Sequence, residues 1–286
     1  MDTSTLKLDA ARCIILICFT DTDLGRGGSM FGASKIIKTR FELDSQGCRL
    51  RGFILRPPRT GRLPAVIVSH GFASCTRDTK KYARVFVDEG YTAVCFDFCM
   101  SGSGKSSGSS LGMSVLTEKA DLLHVLDFVK GLDFVEPDHI TLAGCSQGGF
   151  VSALAAAERE DEVERLVMYY PALCIPDDAQ RGQMINAKFD PAHVPEQFRA
   201  LFVRLGAKYA LDAQGLDPFR EICGFSKPVL IVHGTKDKLV DISYSRRAAR
   251  DYPNCRLVEV SGDHGFIFSG FAQGKRATVE YLRSNH

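Results

Sequence analysis

Three things are missing from this sequence: a strong excess of charge, a paired cysteine motif and a long apolar run. Lys and Arg number 36 against 34 Asp and Glu, a net charge of +2. That surplus is too small to draw the chain to nucleic acid or to an anionic membrane surface. The ten cysteines include no C-x-x-C pair, which excludes the usual spacing of a structural zinc site. Several lie in apolar runs, as Cys95 does between Val94 and Phe96, and they read as reduced, buried thiols of a cytoplasmic protein. The apolar stretch 11–19 is too short to span a bilayer, and it lacks a strong basic flank and a clear small-residue cleavage site. It reads as an extra strand, as the contact of a homodimer or as a leader, with a weak signal peptide as the alternative. Gly25-Arg26-Gly27-Gly28 then sets residues 1–33 apart as an extension of unknown role.

What is present is a regular alternation of apolar strand and amphipathic helix. At 286 residues, 45% hydrophobic and 24% charged, the chain has the size and balance of one large α/β domain with a small insertion. Residues 35–43 and 48–55 read as antiparallel strands joined by a turn at 44–47. The short apolar runs 64–69, 91–96, 140–143, 163–169, 228–232 and 256–260 read as strands, the first two of the kind buried on both faces. Helical patterns fall at 78–89, 116–130, 147–158, 243–251 and 271–282. This order predicts a mainly parallel, doubly wound sheet. Pro176, Pro191, Pro195 and Pro218 interrupt the rhythm, so 173–225 is expected to be an inserted cap with helical pieces, between core segments 34–172 and 226–286.

The chemistry concentrates in Gly144-Cys145-Ser146-Gln147-Gly148. An apolar run ends here in a serine with glycine two residues to either side. This pattern forms a sharp strand-to-helix turn that lifts the serine hydroxyl out of the fold. Two partners follow in chain order. Asp237 closes Val232-His233-Gly234-Thr235-Lys236-Asp237, and His264 lies in Gly262-Asp263-His264-Gly265, each just past a strand end. The C-terminal ends of parallel strands share one edge, so the three side chains are expected to meet. Ser146 is then the nucleophile, His264 its base and later an acid, and Asp237 the group that orients the imidazole. Asp241 and Asp263 compete for that last role, Asp263 reading better as a loop or capping residue. The oxyanion donors are expected to be the backbone N–H groups of Gln147, at a helix N-terminus, and of Phe72, in the loop His70-Gly71-Phe72. His70 and His233 read as residues that hold loops, and His124, His139 and His193 as surface residues. Gly102-Ser103-Gly104-Lys105-Ser106 hints at a phosphate loop, but Cys99 stands where that pattern needs glycine. It reads better as a mobile loop at the rim of the site.

On these residues the chain from about 35 onward resembles the α/β-hydrolase superfamily, and more narrowly the bacterial cinnamoyl or feruloyl esterases. The resemblance is carried by His70-Gly71-Phe72, by Met113-Ser114-Val115-Leu116-Thr117-Glu118, by the serine motif, by the cap run 189–195, by 227–237 and by Gly262-Asp263-His264. It implies an α/β-hydrolase fold with a small cap, a carboxylester substrate of small size, and neither metal nor organic cofactor. It also implies that Asp178 and Tyr209, by position in the cap, contact the hydroxyl of a phenolic acyl group. A helix cap and a packed ring are the plainer readings of those two residues. The chain departs from these esterases at Cys145, where histidine is common, and at Cys99-Met100-Ser101. A serine aminopeptidase or peptidase on the same fold is the alternative enzyme.

Overall fold

The structure is a computed structural model that describes residues 15–18 and 36–284; the rest of the N-terminal extension lies outside them. Strand β1 (Ile15–Cys18) pairs antiparallel with β2 (Ile37–Ser45). A hairpin joins β2 to β3 (Cys48–Arg56). Its two turn residues, Gln46 and Gly47, both have positive φ, 52° and 74°, the backbone a two-residue hairpin requires. Next come β4 (Leu63–Ser69), α1 (Thr76–Asp88), β5 (Thr92–Asp97), α2 (Val115–Lys130), β6 (Val135–Cys145), α3 (Gln147–Glu158) and β7 (Arg165–Tyr169).

Between β7 and the next strand of the main sheet lie α4 (Ile175–Gln180), hairpins β8 (Gln183–Met184)/β9 (Ala187–Lys188) and β10 (Gln197–Ala200)/β11 (Val203–Gly206), α5 (Ala207–Gln214) and α6 (Pro218–Ile222). The chain closes with β12 (Val229–Gly234), α7 (Ile242–Asp251), β13 (Cys255–Val260) and α8 (Phe271–Ser284). The two hairpins were not expected from the sequence, which suggested helical pieces alone. The second is held from outside at β11: Ser110 Oγ donates to Arg204 O at 2.6 Å, and a Cβ on Gly206 would stand 2.2 Å from Leu111 O.

Among the described residues the main sheet has nine strands in the order β1-β2-β3-β5-β4-β6-β7-β12-β13. From β5 to β13 all pairings are parallel, and β1, β2 and β3 form the antiparallel end. Two apolar layers cover the two faces. Leu122, Leu126, Phe150 and Leu154 of α2 and α3 pack with Phe41, Ile67 and Phe96. Tyr82 and Phe86 of α1, with Tyr281 and Leu282 of α8, pack with Val66, Val68 and Val167. Parallel strands wrapped on both sides leave one edge where the strand C-termini emerge together, and the site lies there. No helix among the described residues is long and apolar enough to cross a membrane.

Candidate active site

Ser146 occupies the tight turn between β6 and α3, with φ 53° and ψ −121°. A non-glycine residue takes such a backbone at a cost, and only where its surroundings enforce it. Here they do. Its N–H donates to Tyr169 O at 2.9 Å, and its carbonyl accepts from Gly149 at 2.9 Å and Ala172 at 3.0 Å. The flanking glycines are required for close approach: a Cβ on Gly144 would lie 2.1 Å from Gly148 O, and one on Gly148 would lie 2.3 Å from His70 O.

His264 opens a 3-10 turn after β13, and Asp237 follows β12. The two loops touch at Gly234, where a Cβ would meet Gly262 O at 2.2 Å. His264 Nε2 lies 3.1 Å from Ser146 Oγ, and its Nδ1 lies 2.7 Å from Asp237 Oδ2. The Asp237 side chain is fully buried. Its Oδ1 accepts the N–H groups of Leu239 and Val240, each at 2.9 Å, and His233 Nε2 approaches Oδ2 at 3.2 Å. Burial alone pushes this carboxyl up, but the hydrogen bonds from His233, His264 and Val240 outweigh it and hold it well below the usual carboxylate range. The rival acids are engaged elsewhere. Asp241 caps α7 through the N–H of Ser243, and Asp263 accepts from the backbone of Phe268 and Ser269.

A buried polar group that the sequence did not reveal backs the histidine. Tyr170, at φ 40°, sets its ring edge-on to His264, with centroids 4.8 Å apart. Its hydroxyl pairs with that of Tyr82 at 2.8 Å. Lys81 Nζ donates to Gly265 O at 3.1 Å. The His264 loop is therefore held from α1 as well as from β13.

The loop after β4 runs against the serine: a Cβ on Gly71 would lie 3.1 Å from Ser146 Cβ. Neither the Phe72 nor the Gln147 amide N–H has a backbone partner among the described residues. His70, buried, bridges two loops. Its Nδ1 donates to Gly71 O at 2.8 Å and its Nε2 accepts the N–H of Phe98 at 3.0 Å. Burial lowers its pKa, against the Gly71 hydrogen bond, so the ring stays neutral. The Gly71 carbonyl and the Phe72 N–H belong to one trans peptide and point opposite ways. Holding the carbonyl therefore aims the N–H.

A cavity of about 710 Å³ opens above Ser146 and His264, and Phe72, Asp178, Ile185 and Tyr209 are in its walls. Asp178 accepts from Arg181 at 2.6 Å. Tyr209 packs its ring near Phe72, with centroids 5.9 Å apart, and donates its hydroxyl to Gln147 Oε1 at 2.5 Å. The loop 101–107 departs from expectation. It does not line this cavity and is pinned down: Ser103 Oγ donates to Ser74 O at 2.6 Å, the Lys105 N–H to Asp97 at 2.8 Å, and Ser106 and Ser107 accept from the backbone of Arg51 and Arg49. Its serines satisfy the backbone of Ser74, Arg51 and Arg49 rather than a ligand. Among the described residues no group of three or more His, Cys, Asp or Glu side chains is arranged to hold a metal ion.

A strained serine at the strand–helix turn, with aspartate and histidine carried past the ends of the last two strands of a mainly parallel sheet, defines a class. The chain has the α/β-hydrolase fold. A family model described as serine aminopeptidase, S33, matches residues 62–197. Among solved structures, Est1E from Butyrivibrio proteoclasticus, with ferulic acid bound, is similar at a TM-score of 0.80 and 29% identity, over 85% of this chain and 98% of that one. DcsB in complex with its substrate analogue matches in fold, at a TM-score of 0.70 and 22% identity over 86% of this chain and 98% of that one. Among curated proteins, the uncharacterized protein YqkD of Bacillus subtilis (strain 168) is 24% identical over 87% of this chain and 80% of its own length.

Proposed function

We propose that the chain is a serine carboxylester hydrolase working through an acyl-enzyme. The observation that carries this reading is the 3.1 Å approach of His264 Nε2 to Ser146 Oγ while Nδ1 is held by Asp237 at 2.7 Å. His264 takes the proton of Ser146 as Oγ attacks the ester carbonyl. The oxyanion is received by the N–H groups of Phe72 and Gln147. His264 then protonates the departing alcohol, and water, activated by the same imidazole, releases the acid. Asp237 keeps the ring in the tautomer that leaves Nε2 free to accept.

Aryl-acrylate esters of the cinnamoyl or feruloyl type are the favoured substrates, with short-chain acyl esters next. Support comes from the cavity, with Asp178 and Tyr209 in its wall, and from the likeness to Est1E, solved with ferulic acid. The test is hydrolysis of p-nitrophenyl butyrate and methyl ferulate by the wild type and Ser146→Ala. Both activities should be present in the first and fall by about 10⁶-fold in the second. Parental rates in the variant would end the reading. The S33 description of the matching family model favours a second reading, a serine aminopeptidase. Turnover of aminoacyl p-nitroanilides in preference to esters would select it.

A further inference from the structure

The run Ser114–Glu118 opens α2, and Ser114 caps the helix by accepting the N–H of Thr117. Glu118 in that first turn points inward and is 1% exposed. Its Oε2 accepts Nε2 of Gln147 at 2.7 Å, and Oε1 of Gln147 accepts the hydroxyl of Tyr209 at 2.5 Å. All three side chains are buried. They form one chain from a carboxyl on α2, through a side chain on α3, to the cavity wall on α5. The reaction scheme uses the backbone of Gln147 and has no need of this carboxyl.

We propose that Glu118, acting through the Gln147 amide, sets the hydrogen-bonding polarity of Tyr209 in the pocket and so selects acyl groups that carry a hydrogen-bond donor. This rests on the esterase reading of the same pocket. A carboxylate can only accept hydrogen bonds, so the NH₂ of Gln147 must face Glu118 and its carbonyl must face Tyr209. The phenolic proton is then committed to that carbonyl, and the lone pairs of the Tyr209 oxygen are what remain for a ligand. Burial holds the phenol well above its usual pKa, so it stays neutral. Asp178, on the same cavity wall, is also an acceptor. An acyl group ending in a hydroxyl matches these groups, whereas an ether in its place leaves a desolvated acceptor without a partner.

Burial pushes Glu118 up to about 8, against the hydrogen bond from Gln147, and Asp121 on the same helix adds to the rise. The other groups facing this chain are Cys174 and Asp178, which lie against Tyr209. With a proton on Glu118 the carboxyl can donate to the Gln147 carbonyl. The amide then turns over and frees the Tyr209 hydroxyl to donate. Selection for a donor-bearing acyl group is therefore sharp where Glu118 is ionised and relaxed where it is protonated.

The test compares kcat/KM for the methyl esters of 4-(hydroxymethyl)cinnamic and 4-(methoxymethyl)cinnamic acids, whose para groups do not ionise. Wild type and Glu118→Gln are assayed near pH 9 and near pH 6.5. The wild type should favour the hydroxymethyl ester by about tenfold or more at the higher pH and by less than about threefold at the lower. Glu118→Gln should show the small ratio at both. A wild-type ratio that is the same at both pH values overturns the proposal even if the variant does not fold. So does a ratio at the higher pH that Glu118→Gln leaves unchanged, or one that favours the ether. Turnover of p-nitrophenyl butyrate with neither cinnamate ester accepted overturns the proposal and leaves the esterase reading standing. No turnover of any ester overturns both.

Discussion

His233 Nε2 lies 3.2 Å from Oδ2 of Asp237, the same oxygen that receives His264 Nδ1 at 2.7 Å. His233 is fixed in turn by Ser245 Oγ at Nδ1, 2.6 Å away, and its Nε2 also faces Val240 O. The carboxylate that holds the His264 imidazole is thus saturated with donors on both oxygens. It has no freedom to rotate and no need to take a proton.

Replacing Asp237 by Asn should therefore do more than remove a charge. An amide presents one acceptor and one donor group, and here every neighbour is a donor. Either the backbone N–H groups of Leu239 and Val240 or the two histidines must face an NH₂. The expected result is a fall in kcat of about 10⁴-fold on p-nitrophenyl butyrate, with the protein still folded by near-UV circular dichroism. Asp241→Asn is the control. Asp241 caps α7, and Asn caps as well as Asp, so activity should stay within about twofold. Comparable losses in the two variants would mean that the wrong acid has been assigned.

His70 offers a different test, because it touches no reacting atom. It holds the Gly71 carbonyl and the Phe98 N–H, and through the 71–72 peptide it aims the Phe72 N–H, one of the two proposed oxyanion donors. A donor used mainly in the transition state affects kcat more than KM. His70→Ala should therefore lower kcat by about 10- to 100-fold while KM for p-nitrophenyl butyrate moves little, as steady-state kinetics would read. A rise in KM at constant kcat would place His70 in ground-state binding instead.

Much of this site is legible in the sequence because its parts are local. The glycines around Ser146 are demanded by contacts of 2.1 and 2.3 Å across one turn, and Asp237 and His264 sit just past apolar runs that form β12 and β13. What was not legible depends on distant partners. β6 begins at Val135 rather than 140, because Val135 pairs with Leu63 ahead of a register shift, although residues 136–139 are polar or proline. The loop 101–107 reads as mobile by composition, yet it is fastened by Asp97, Arg49, Arg51 and Ser74, none of them near enough in sequence to suggest it. Glu118 stands out in the sequence only as the end of the Met113–Glu118 run. Only the packing of α2 against α3 and α5 buries it.

That burial has a consequence for stability which does not depend on any substrate. Glu118 holds its proton up to about 8 in the folded protein, whereas in the unfolded chain it ionises near the ordinary value of about 4.3. Between those two values the folded state binds more protons at this site, so stability falls as pH rises across the window and levels off beyond it. Asp237 works in the opposite sense. Its folded value is depressed, so its contribution is lost only as pH falls below about 4, the ordinary aspartate range, outside this window. Glu118→Gln removes the first effect alone. At about pH 5 the variant and the wild type should unfold at similar temperatures. At about pH 8 the variant should be the more stable by a few kcal/mol, roughly 5–10 °C in Tm for a domain of this size. Differential scanning calorimetry at the two pH values measures the difference directly, and a variant whose Tm tracks that of the wild type at both would mean that Glu118 is ionised in the folded protein throughout.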